Sequence, residues 1–63
     1  MNNYQKEIGS LYKNRADYIA IITGIERSQY SKHLYFMIEY LNGGGGTGSI
    51  EVNDFFEAFK KVS

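Results

Sequence analysis

Cysteine, proline and tryptophan are all missing from these 63 residues, and there is a single histidine. Without cysteine there is no disulfide framework, no thiol nucleophile, no iron–sulfur cluster and no zinc-thiolate site. One imidazole, His33, falls short of the three or four ligands a metal centre needs, so it is expected as an exposed residue at a turn. No cofactor is expected. Long hydrophobic runs are absent too: the longest, residues 18–22, is far shorter than the ~20 residues that span a bilayer. With no signal-like segment either, the expectation is a cytoplasmic protein without a membrane. There is also no excess of charge, because seven basic and seven acidic side chains cancel. That balance argues against a dedicated non-specific nucleic-acid binder, whose affinity comes from phosphate neutralisation.

What is present is aromatic and small. Six Tyr and four Phe supply most of the bulk available for a core, and 43% of the residues are apolar. A chain of this length forms one domain, near the lower limit for folding alone, so a homodimer or a partner that completes the core is expected. The charges are unevenly spread. Residues 1–33 hold Lys6, Lys13, Arg15, Arg27 and Lys32 against three acids, whereas residues 34–59 hold Glu39, Glu51, Asp54 and Glu57 and no base.

Residues 17–27 (DYIAIITGIER) alternate with period two, Ile19, Ile21, Thr23 and Ile25 against Tyr18, Ala20, Ile22 and Gly24, which predicts a strand. Residues 33–41 (HLYFMIEYL) alternate as well, with Leu34, Phe36, Ile38 and Tyr40 on the stronger apolar face. A polar connection, SQYSK, makes the two an antiparallel hairpin. Residues 48–52 follow as a short strand. Residues 53–62 change period: Phe55, Phe59 and Val62 stand at i, i+4 and i+7, with Asn53 as N-cap and Lys60 and Lys61 at the C-terminal end of a short helix. The start is ambiguous. Tyr4, Ile8, Leu11 and Tyr12 fit a helix, but Gly9-Ser10 interrupts it, and residues 8–14 as a first strand is the favoured reading.

The fold expected is therefore mainly β, a small SH3-like barrel of four to five antiparallel strands with a short C-terminal helix. The alternative is α-β-β-β-α. IGSLYKNRADYIAIITGIE and SIEVNDFFEAFKKV resemble the opening and closing of small SH3-like barrels in short bacterial and phage proteins. The alternative order resembles a double-stranded-RNA-binding domain, which carries a KKxAK-like basic cluster at its last helix. Here that place reads Ile-Glu-Val-Asn-Asp.

The loop Asn42-Gly43-Gly44-Gly45-Gly46-Thr47-Gly48-Ser49 imitates two phosphate-binding spellings. It lacks the lysine of a P-loop and leads into a strand instead of a helix, so nucleotide binding is not expected. Glycine suits it as a hairpin connection or as an element that orders on a partner. Glu39 and Glu51 would be close carboxylates only if their strands pair at that register, and nothing in the pattern encloses them. Catalysis is therefore not expected.

Tyr35 and Met37 project from the face opposite Phe36 and Ile38, with Tyr30 in the adjoining turn. Rigid tyrosines beside an adaptable thioether suit a protein contact; the same side chains would serve as core if the sheet curled over them, or as a base-stacking platform. The expected partner-binding residues are Tyr30, Tyr35, Met37, Gly44, Gly45, Gly46 and Thr47. The alternative, nucleic-acid binding, would use Lys13, Arg15, Arg27 and Lys32. The function expected is a non-enzymatic binding module acting on a protein, in the style of accessory or inhibitory proteins of phages and mobile elements.

Overall fold

A computed structural model of the chain describes residues 4–62. A 3-10 turn at Tyr4–Glu7 leads into β1 (Leu11–Asn14), β2 (Ile19–Arg27), β3 (Leu34–Tyr40) and β4 (Thr47–Glu51). One short helix, α1 (Val52–Ala58), and a last strand, β5 (Phe59–Lys61), follow among the described residues. All pairings are antiparallel and the order is β4-β3-β2-β1-β5. The fold is mainly β, as expected. The α-β-β-β-α alternative does not occur: the first element is one 3-10 turn, and the chain returns after α1 to pair as a fifth strand on β1.

The sheet does not close into a complete barrel. Its edges, β4 and β5, are joined by α1, which packs on the buried face of the sheet between them. Phe55 of that helix is fully buried and fills the middle of the core. It meets Tyr12 at 4.9 Å and Phe36 at 5.1 Å, both edge-on, and stacks on Phe59 at 4.5 Å. Aromatic pairs of this geometry add roughly 0.5–1.5 kcal/mol each beyond the area they bury. The helix seals the core where a strand–strand seam would otherwise be needed.

Two boundaries differ from expectation. Asn53 is not the N-cap; Glu51 is, its carboxylate accepting from the Asn53 and Asp54 amides at 3.1 and 3.4 Å. And the helix ends at Ala58, because Phe59 turns to extended backbone (φ −122°, ψ 149°). Phe59, Lys60 and Lys61 then satisfy the free edge of β1, pairing with Asn14, Lys13 and Tyr12. Phe59 is buried in either geometry, so its spacing did not distinguish them. Val62, expected on the helix face, is half exposed beyond β5.

The buried side of the sheet carries Tyr12, Ala20, Ile22, Phe36 and Ile38. Strict alternation along β2 would turn Ile25 away from them. Instead the β2–β3 register shifts between Ile22 and Gly24, leaving Thr23 as the extra residue of a bulge. Ile22 then faces Ile38 and Ile25 faces Phe36, and both pack on the core. The Thr23 hydroxyl donates to the Met37 carbonyl at 3.1 Å, tying the bulge across the strands.

Candidate functional site

The register fixes what lies on the outer side of the sheet, away from α1. Leu11 stands opposite Ile21, Ile21 opposite Glu39, and Glu39 opposite Thr47. One row on, Gly24, Met37 and Ser49 align; one row further, Glu26, Tyr35 and Glu51. Tyr35 and Met37 are therefore not core. They are half-buried among the strands of their own sheet, while Phe36 and Ile38 between them are fully buried on the other side. Met37 lies over Gly24, its Cγ 3.8 Å from where a Cβ of that residue would stand.

Charge on this face follows the sheet order. Glu26, Glu39 and Glu51 surround Tyr35 and Met37 on β2–β4, and no Lys or Arg side chain alternates onto that part of the face. The Glu51 carboxylate is turned back to cap α1, which leaves exposed Glu26 and Glu39 on this face. On the β1–β5 half, Lys13 of β1 is opposite Lys60 of β5. Glu39 and Glu51 do not form a carboxylate pair: Glu39 faces Thr47 and Glu51 faces Tyr35.

The expected contact residues fall in three places. Tyr35, Met37 and Thr47 share the outer face, and Met37 and Thr47 line one shallow groove there together with Thr23 and Ser49. Tyr30 sits in the β2–β3 turn, 96% exposed. Gly44, Gly45 and Gly46 lie at the opposite end of β3, whose seven residues separate the two turns by about 20 Å. The glycine loop is fastened at its base. Asn42 accepts from the Ile19 amide at 2.9 Å and donates to the Asp17 carbonyl at 3.1 Å, and Gly43 lies against the Tyr18 ring so closely that a Cβ would overlap it. Gly43 through Gly46 all have positive φ, 67°, 97°, 76° and 111°, a run that explains the four glycines without a phosphate.

The four expected nucleic-acid residues do not form one patch. Lys13 and Arg15 lie by the β1–β2 turn, where Lys13 pairs with Asp17 at 3.7 Å. Arg27 and Lys32 lie at the far end of β2, with Arg27 donating to the Lys32 carbonyl at 3.1 Å and exposed His33 beside them. Lys60 and Lys61, which the sequence placed on a helix, join the first group in β5. The groove between the β1–β2 turn and α1 is lined by Arg15 together with Asp54 and Glu57, so acids share it with its cation.

Sequence reasoning missed one polar cluster. Glu7 is 9% exposed, with its carboxylate accepting from the Tyr12 hydroxyl at 2.9 Å and from Lys61 Nζ at 3.3 Å. The Tyr12 hydrogen bond holds the Glu7 carboxyl below its usual range, with Lys61 adding to that and burial opposing it. Burial first, and then the Glu7 hydrogen bond, push the Tyr12 hydroxyl up to about 12. The cluster ties the first turn to β1 and β5. Its members are five and 54 residues apart, a relation no local pattern carries. Among the described residues no group of His, Asp or Glu is arranged to hold a metal, and no helix is long and apolar enough to cross a membrane.

Compared with known protein families, curated proteins and solved structures, the chain matches none.

Proposed function

We propose that the chain is a non-enzymatic binding module, and that the outer face of β2–β4 is its contact surface for a protein partner. The observation that carries this reading is the juxtaposition of half-buried Tyr35 and Met37 with exposed Glu26 and Glu39, with no Lys or Arg at the paired outer-face positions of β2–β4. Aromatic and thioether side chains supply contact area at low entropic cost, and the glutamates select and steer the partner. The complementary surface is an apolar patch rimmed by Lys and Arg. The same acidic surround repels nucleic acid. The module's size and lack of catalytic groups suit an accessory or inhibitory protein of the mobile-element type, acting in the cytoplasm.

Affinity capture from the native host tests it. Tyr35→Ser with Met37→Ser removes the captured protein while leaving the far-UV circular dichroism of the fold intact. Arg15→Ser with Lys60→Ser, on the β1–β5 half, leaves capture unchanged. Capture that survives the first pair and fails with the second would transfer the site to the basic groove. Raising salt slows capture, because the acidic surround acts on the encounter rate.

A further inference from the structure

The two edges of the sheet differ in how they are protected. β5 is three residues long and carries Lys60 and Lys61, which blunt it. β4 is five residues, Thr-Gly-Ser-Ile-Glu, with no proline, no lysine and no bulge, and none of the described residues pairs with its outer side. The Tyr40 amide donates to the Gly46 carbonyl at 2.8 Å, which sets the phase of the β3–β4 ladder. Counting on from there, Gly48 and Ile50 bond to β3, and the backbone N–H groups of Thr47, Ser49 and Glu51 point to the open edge, as do the Thr47 and Ser49 carbonyls.

We propose that this edge pairs with a second copy of the chain, β4 against β4 about a two-fold axis through Ser49. The sequence of the edge is complementary to itself in that register. Ser49 meets Ser49 of the other copy and exchanges two hydrogen bonds with it. Each Glu51 amide reaches the other copy's Thr47 carbonyl, so no like charges stand opposite one another. Gly48 comes opposite Ile50. A Cβ at Gly48 would meet nothing within 4 Å, and the partly buried Ile50 side chain of the other copy occupies that open space, extending the core to which Ile50 already belongs. Registers shifted by two residues either way lose a pair at one end. A symmetric pairing through β5 would instead set lysines against lysines. Because the axis runs perpendicular to the sheet, the two outer faces point the same way and form one wider surface. The inference stands on the edge alone and does not require the outer face to bind anything.

Analytical ultracentrifugation across micromolar to millimolar concentrations reads the result. The wild-type chain sediments at twice the single-chain mass at the upper end. Ser49→Pro removes only an amide that points away from β3, a place where an edge strand tolerates proline, and it sediments as one chain with its circular dichroism unchanged. Ser49→Lys does the same by setting two cations at the axis. In wild-type protein, which needs no substitution, the Ser49 and Glu51 amides gain hydrogen-exchange protection as concentration rises. A single-chain mass throughout, concentration-independent exchange at these amides, or a dimer that both variants leave intact overturns the pairing.

Discussion

Replacing Tyr12 by Phe removes one hydroxyl and exposes a pH dependence that the wild-type chain owes to it. In the folded protein this hydroxyl is buried against Glu7 and is pushed from 10.0 up to about 12. A raised pKa means the stabilisation is complete below pH 10, where both states are protonated. It is lost as pH rises toward 12, because the unfolded chain ionises first. A two-unit shift corresponds to about 2.7 kcal/mol in all, of which about 1.4 kcal/mol is gone by pH 11. A domain of this length is worth roughly 3–9 kcal/mol in total, so the loss is large enough to read. At pH 8 the variant is less stable than wild type by about 1.5–3 kcal/mol, the usual worth of a hydrogen bond to a charged group. Urea unfolding followed by circular dichroism at pH 8 and pH 11 measures both. The wild-type advantage shrinks by about 1.4 kcal/mol between them, close to a 1.4 M change in midpoint difference if the urea slope is near 1 kcal/mol/M. An advantage equal at both pH values would refute the buried Tyr12–Glu7 hydrogen bond.

The remaining expectations concern the same framework. Glu7→Gln flattens the acid limb, because a carboxyl held below 4.5 contributes stability above that value and loses it as pH falls; the wild-type and variant midpoints converge on acidification. Phe55→Ala empties the centre of the core at a cost of about 3–5 kcal/mol, roughly a third or more of the whole stability, and a circular dichroism melt reads it as a large fall in melting temperature. Gly44→Ala costs only the left-handed backbone, about 1–2 kcal/mol, whereas Gly43→Ala costs more because its Cβ overlaps the Tyr18 ring; the order of the two melting temperatures checks this.

The parts of the fold that were legible in the sequence are those whose side chains obey one local period. β2 and β3 alternate, and the parity of Tyr35 and Met37 against Phe36 and Ile38 placed them correctly on opposite sides. The bulge at Thr23 was not legible, since a Thr-Gly pair inside an alternating run gives no sign of an extra residue until it is set against β3. The end of α1 was misread because Phe59 is buried as a helical and as an extended residue. What decided between them was the unpaired edge of β1, far away in sequence. Asn53 has the chemistry of an N-cap, yet Glu51, leaving β4, reaches the same amides first. The proposed contact residues were legible by face but not as one group: turn residues adjacent to β3 in sequence, Tyr30 and the glycines, are carried to its two ends by the length of the strand.

Hydroxyl-radical footprinting of the wild-type chain, free and bound to its captured partner, tests the contact surface without any substitution. Protection centres on Tyr35 and Met37, with the β1–β2 turn side chains and exposed Tyr30 oxidised equally in both states. Protection centred on Arg15 and Lys60, with Tyr35 and Met37 unchanged, would contradict it.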